Sequence, residues 1–106
     1  MPRWRWCWRR FGPGRPYSPL YLSVKPKVKE FVPYPEGSFE YVEIFPPELE
    51  ALKLVDYEGL TQEEAGKKMN TSRGTVWRLL ESGRKKIVDA LLNGKRIIVR
   101  ETEEKE

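Results

Sequence analysis

Two helix starts stand eleven residues apart in this chain with a turn residue between them. No other feature restricts the fold as much. Thr61 is followed three residues later by Glu64, the capping-box pattern in which each side chain satisfies the other's free backbone N–H. Asn70 stands where the helix so begun must end, and Asn is the best non-glycine residue for a left-handed conformation. Ser72 then caps the next helix. Helices joined by so short a turn cross steeply. Their backbones nearly touch, so the first needs a small residue at the crossing, and Gly66 fills that place. Val76 is the branched apolar plug from the second helix, and Leu60 and Leu79 close the core. The alternative is a plain helical hairpin with coincidental caps, which requires no such agreement.

The flanking sequence extends this unit. Pro46-Pro47 open an earlier helix, since proline is tolerated at the first helical position. It runs roughly over 48–57, with Ala51, Leu52, Leu54 and Val55 as its apolar stripe and Gly59 as its stop. The second helix reaches about Met69. The third runs from the Ser72 cap to Gly94, ~21 residues or ~31 Å at the helical rise. Val76, Leu79, Leu80, Ile87, Ala90 and Leu91 recur along it at three- and four-residue spacing. Its outer face carries Arg73, Trp77, Arg78, Arg84, Lys85 and Lys86. Gly83 inside this helix costs ~1 kcal/mol relative to Ala, which points to close approach of another element there.

The first 36 residues read differently. Proline occurs at 2, 13, 16, 19, 26, 33 and 35, and Gly12-Pro13-Gly14 forbids a helix. Short β-favouring pieces lie at 20–24, 28–32, 39–44 and 96–100 and are able to pair into a small sheet. The expected architecture is mainly α. It comprises a basic, Trp/Arg- and Pro-rich extended arm over 1–36, a tri-helical helix-turn-helix domain with a few short strands over 37–100, and an acidic tail over 101–106.

Charge is segregated along the chain. Residues 1–29 carry eight Lys/Arg and no acid, residues 30–64 ten acids and one Lys, and residues 65–100 ten bases and two acids. Two strongly positive blocks separated by an acidic one suggest two surfaces for a polyanion, against the plainer reading of solvated faces. The acids at 48, 50, 56, 58, 63 and 64 fall mostly in helix starts, where they complement the helix dipole; nothing nearby suggests a pocket that would make Glu48 and Glu50 catalytic. There is no His and a single Cys7. That removes the common zinc sites, histidine-dependent catalysis and an internal disulfide, and fits a reducing compartment. No apolar run spans a bilayer and the basic N-terminus lacks a signal peptide's apolar segment. The expectation is a cytoplasmic protein that is not an enzyme and holds no metal or cofactor.

The run from Leu60 to Val76 resembles the promoter-reading C-terminal domain of bacterial sigma factors. More closely, residues 46–95 resemble a family of small, uncharacterised archaeal and bacterial proteins predicted to bind DNA, through 48–54, 58–65 and 80–95 and more weakly through 31–37. Asn70 and Thr71 replace the family's commoner Gly-Val of the turn, and Gly74 replaces a larger residue on the third helix. The first 11 residues match nothing in it. The resemblance implies DNA binding.

In a helix-turn-helix the second helix lies in the major groove and its first turns meet base edges. The outward residues there are Arg73, Gly74, Trp77 and Arg78. Arg73 and Arg78 are the expected base readers, since arginine bonds guanine O6 and N7 together. Ser72 or Thr75 would take a phosphate, and the helix start at Thr61 and Gln62 would point N–H groups at another. Trp77 either contacts a thymine methyl or sugar, or braces the helix against the domain or a second subunit. In the arm, Trp4, Trp6 and Trp8 alternate with Arg3, Arg5, Cys7 and Arg9, followed by Arg10. These arginines are expected to add backbone contacts, with the indoles packed on the domain. The arm's other readings are stacking on unpaired bases and an anionic membrane interface, the less favoured.

The function so implied is sequence-specific binding of double-stranded DNA by a transcriptional regulator. Its expected assembly is a homodimer formed by the strands and by Ile87 and Leu91. The alternatives are a module that docks on the transcription machinery, and an RNA or single-strand binder led by the arm.

Overall fold

A computed structural model of the chain describes residues 4–6, 20–25, 29–35, 37 and 39–100. Its centre is three consecutive helical segments. Pro46 and Pro47 open α1 (Pro46–Ala51), and Glu48 reaches back to accept a hydrogen bond from Phe45 N at 2.9 Å. α1 continues without a break into a π-helical segment, Leu52–Tyr57, whose wider turn closes with Glu58 N donating to Lys53 O at 2.8 Å. The single helix expected over 48–57 thus changes pitch midway. The change keeps Ala51 and Leu54 in the core and brings Asp56 round to α3. Gly59 ends the segment with φ of 82°.

α2 (Gln62–Met69) and α3 (Arg73–Asn93) follow as their caps dictate. Glu64 N donates to Thr61 Oγ1 at 3.0 Å and Thr61 N to Glu64 Oε1 at 2.9 Å. Asn70 takes the left-handed conformation, φ 64°. Thr75 N donates to Ser72 Oγ at 3.1 Å, and Gly94 ends α3 with φ 67°. A Cβ on Gly66 would fall 2.8 Å from the carbonyl oxygen of Thr71 and 3.3 Å from the carbonyl carbon of Ser72. Only glycine lets α2 meet the backbone of the turn this closely. Gly83 answers a second approach, with Leu52 and Glu48 of the first helix against it.

The core gathers Ala51, Leu54, Ala65, Met69, Val76, Leu79 and Leu80, with Leu60 packed on its edge. Ala90 is buried and Ile87 half-buried, but Leu91 is exposed, contrary to its place in the apolar repeat. It follows Ala90 on the flank of α3 that turns from the domain to solvent.

Two strands from the first third of the chain complete the fold. β1 (Trp4–Trp6) pairs antiparallel with β2 (Leu20–Leu22), Arg5 opposite Tyr21. Leu20 and Leu22 project into the helical core and are buried there, as is Val24. Part of the segment read as an extended arm over 1–36 packs on the domain, because its alternating leucines supply an apolar face that the helices cover. Arg3, Cys7, Trp8, Arg9 and Arg10 lie outside the described residues, as does the tail 101–106.

The second sheet has the order β3 (Glu30–Phe31), β5 (Arg96–Val99), β4 (Tyr41–Ile44). β3 runs antiparallel to β5, and β4 parallel to it with Ile44 opposite Val99. The strands expected to form a dimer are thus paired within one chain. Among the described residues no helix is long and apolar enough to cross a membrane.

Candidate nucleic-acid interface

The residues singled out at the start of α3 occupy its first two turns. Arg73, Gly74, Trp77 and Arg78 are exposed, Trp77 to 53% of its surface. The opposite side of the same turns, Val76, Leu79 and Leu80, is buried. Trp77 is held in place by that division, because it points away from the apolar plug one residue before it. At Gly74 an added Cβ would meet nothing but Ser72 Oγ, 3.9 Å away, so the backbone is bare toward solvent.

Ser72 and Thr75 are partly committed. Ser72 Oγ accepts from Thr75 N and donates to Thr75 Oγ1, both at 3.1 Å. Thr75 keeps its own O–H as a donor. Thr61 and Gln62 stand at the far end of α2, about 12 Å away along an eight-residue helix. Glu63 and Glu64 place two carboxylates in that same first turn, which opposes an approaching phosphate.

The state of the cations separates this face from the rest. Arg84 forms a two-pronged pair with Asp56, Nη2 to Oδ1 at 2.6 Å and Nε to Oδ2 at 3.1 Å. That hydrogen bonding holds the Asp56 carboxyl below its ordinary range and raises the guanidinium's. Lys86, expected on the outer face, instead turns inward. Its Nζ lies 2.9 Å from the Glu48 carboxylate and 4.8 Å from the centre of the Phe45 ring. Lys95 pairs with Asp89 at 2.8 Å, Arg96 with Glu30 at 3.1 Å and Arg100 with Glu43 at 3.4 Å. The Lys95 hydrogen bond, with a second from Asn93, lowers Asp89. Lys53 and Glu58, five apart across the π-helical turn, pair at 2.8 Å.

Lys25 after β2 aside, the helical cations Lys67, Arg73, Arg78 and Lys85 have no carboxylate within ion-pairing distance among the described residues. All four are exposed. Lys67 is in the last turn of α2 and the others are on the outward side of α3. Sequence reasoning missed Lys67. Its signal was a cation one residue after the glycine that touches the turn.

Glu48 and Glu50 are buried, 5% and 3% exposed, and Glu48 stands in the first turn of α1, where an acid at a helix start is expected. Glu50 Oε1 accepts from Ser23 N at 2.7 Å and Val24 N at 2.9 Å, and Oε2 from Ser23 Oγ at 2.9 Å. This carboxylate fastens the chain after β2 to α1. Glu48 accepts from Phe45 N, Lys86 Nζ and Ser82 Oγ and ties α1 to α3. Their oxygens are engaged from within the domain, and among the described residues no group of three or more side chains converges as a metal site.

Comparison with known proteins gives one consistent result. A family model described as a protein of unknown function, DUF134, matches residues 7–106. A UPF0251 protein of Pyrococcus furiosus is 43% identical over 109 residues, covering 93% of this chain and 88% of its own length. One from Thermococcus kodakarensis is 48% identical over 84 residues, covering 74% and 72%. One from Archaeoglobus fulgidus is 40% identical over 86 residues, covering 81% and 82%. No solved structure matches.

Proposed function

The chain belongs to the DUF134 family, and from that starting point we propose that it binds double-stranded DNA sequence-specifically as a transcriptional regulator, using α2 and α3 as a helix-turn-helix. α3 enters the major groove by its first two turns. Arg73 and Arg78 read base edges there, each as a two-pronged donor to guanine. Trp77 lies against a thymine methyl or a sugar. Gly74 leaves room for the helix backbone to come close to the groove floor. Lys67, Lys85 and the Thr75 hydroxyl serve phosphates. The arginines at 3, 5, 9 and 10 add backbone contacts. The chemistry needs no cofactor and no bond-making step.

The observation that carries this reading is the distribution of unpaired cations. Elsewhere on α3 and β5 the basic side chains Arg84, Lys86, Lys95, Arg96 and Arg100 are neutralised by acids from other elements. Of the charges left over on the helices, Lys67 and Arg73 adjoin the close crossing at Gly66, and Arg78 and Lys85 follow along the outward side of α3. A protein surface that keeps such charge unpaired attracts a polyanion, and duplex DNA supplies phosphates along a groove wide enough for a helix. The resemblance of 60–76 to the promoter-reading domain of sigma factors points the same way.

Selection of bound duplexes from a random pool tests it. The expected result is a recovered motif whose preference weakens with Arg73→Ala and is lost with Arg73→Ala combined with Arg78→Ala. Unchanged preference in the double variant would remove α3 as the reader. Recovery of no motif would favour a docking module on the transcription machinery instead.

A further inference from the structure

α3 carries a second pattern on its outward side. Positions 74, 77, 81, 84, 88 and 91 recur at alternating steps of three and four residues, the period of a coiled-coil seam that winds slowly about the helix, and all six are exposed. Three are large and apolar: Trp77, Val88 at 51% exposure and Leu91 at 76%, with Leu92 at 77% beside them. Exposed apolar side chains at this density on one helix mark an interaction surface.

The order of the stripe identifies the occupant. About the midpoint between Ser82 and Gly83, Glu81 mirrors Arg84, Trp77 mirrors Val88 and Gly74 mirrors Leu91. A second copy of α3 laid antiparallel across that midpoint therefore meets a complement at every step. The acid faces the base, the indole faces the branched aliphatic, and the leucine faces the glycine whose surroundings are open. Glu81 has no ion-pair partner among the described residues. The hydrogen bonds from Arg84 to Asp56 use Nε and Nη2, leaving Nη1 to donate outward. Lys85 adds a second cation within a turn. Such mirror order benefits only a partner with the same sequence, and the stripe from Gly74 to Leu91 is ~26 Å long.

We propose that α3 pairs antiparallel with α3 of a second copy along this stripe, and that this self-paired state competes with duplex DNA because it covers Gly74 and Trp77 and flanks Arg73 and Arg78. The pairing stands on the stripe alone; the competition rests on the DNA-binding reading above.

Sedimentation velocity of the full chain across micromolar concentrations tests the pairing without DNA. The expected result is a concentration-dependent dimer. Val88→Glu weakens it by ~10-fold or more, as a buried unpaired charge does at an interface, and Leu91→Lys does so by setting a cation beside Arg73 and Arg78 of the second copy, while helical content holds because both side chains are exposed. Glu81→Lys weakens it too, because it sets a cation against Arg84 of the second copy. A monomer at every concentration overturns the pairing. So does a dimer indifferent to Leu91→Lys, or one indifferent to Glu81→Lys. Adding the selected duplex is expected to dissolve the dimer, and a dimer that persists unchanged under saturating duplex overturns the competition. Failure to bind any duplex removes the DNA reading and the competition with it, and leaves the pairing standing.

Discussion

Gly83 of α3 lies so close to Leu52 of the first helix that a Cβ on the glycine would come 3.0 Å from Leu52 Cδ1. Gly66 makes a comparable approach, but to backbone: its added Cβ would meet the Thr71 carbonyl oxygen at 2.8 Å. The difference matters, because a leucine methyl can swing aside and a turn carbonyl that closes the domain cannot.

Replacing each glycine by alanine separates the two. Alanine gains ~1 kcal/mol of helix propensity at either position. At Gly83 this gain offsets the displacement of Leu52, and Gly83→Ala is expected to fall within ~1 kcal/mol of the parent. At Gly66 the overpacking term, ~1–3 kcal/mol or more against rigid neighbours, exceeds the gain. Gly66→Ala therefore lowers stability. Chemical denaturation of the two variants measures the contrast, and equal effects would show that the turn is free to move.

Glu50 offers a second comparison. Glu50→Ala leaves the N–H groups of Ser23 and Val24 without acceptors, at ~1–3 kcal/mol for each buried donor. Glu50→Gln keeps a carbonyl oxygen for both, and its amide can donate to Ser23 Oγ. The expected loss for glutamine is ~1 kcal/mol, the difference between a charged and a neutral acceptor. Denaturant midpoints of the two variants give the ranking, and a glutamine variant as damaged as the alanine one would contradict the hydrogen bonds described at Ser23 and Val24.

The Asp56–Arg84 pair predicts a pH dependence. The hydrogen bond from Arg84 lowers the folded-state pKa of Asp56 below its ordinary 3.8. The stabilisation it provides is therefore complete above that value and disappears as pH falls through the folded pKa. Asp56→Asn is expected to be modestly less stable than the parent at neutral pH, with the gap constant down to about pH 5 and closing below 3.8. Because the pair is solvent-exposed, added salt also shrinks the gap. Melting curves across this range check both statements, and a gap that widens in acid would reverse the sign.

For DNA, the unpaired cations divide into two classes. Lys67→Ala and Lys85→Ala are expected to weaken binding to all duplexes alike and to reduce the salt slope by ~0.9 for each phosphate no longer neutralised. Arg73→Ala instead relaxes discrimination at one base position by ~1–3 kcal/mol. Titrations with matched and mismatched duplexes at several salt concentrations distinguish the classes. A Lys67→Ala slope equal to the parent's would take that residue off the interface.

What was legible in the sequence was what neighbours decide. The caps at Thr61 and Ser72, the left-handed Asn70, the stop at Gly94 and the need for Gly66 each depend on residues within a turn or two, and each appears where the chain chemistry puts it. The outward positions of the first two turns of α3 follow likewise from the helical period, whereas Lys86 and Leu91 further along depart from their expected sides. Hidden from that reasoning were the facts settled at a distance. Glu50 is satisfied from 27 residues away by Ser23, and Glu48 from 38 residues away by Lys86, so both look like ordinary surface acids in the sequence. Which cations stay unpaired was likewise invisible, since Asp56, Glu30 and Glu43 come from other elements. Leu20 and Leu22 read as a strand, but nothing local said that the helices would enclose them. The π-helical pitch of 52–57 had no signature, because the same apolar residues serve an α-helix equally well.

The parallel pairing of β4 with β5 has a consequence for assembly. The two strands bracket all three helices, so the sheet works as a clasp whose halves arrive at opposite ends of the helical segment. A chain emerging from a ribosome can wind every helix while the clasp still hangs open, and β5, which follows the helices, is the strand that snaps it shut. Clipping the chain before Arg96 is thus predicted to leave β3 and β4 without their shared neighbour around a helical core that still closes, so that the melting midpoint falls while far-ultraviolet dichroism survives.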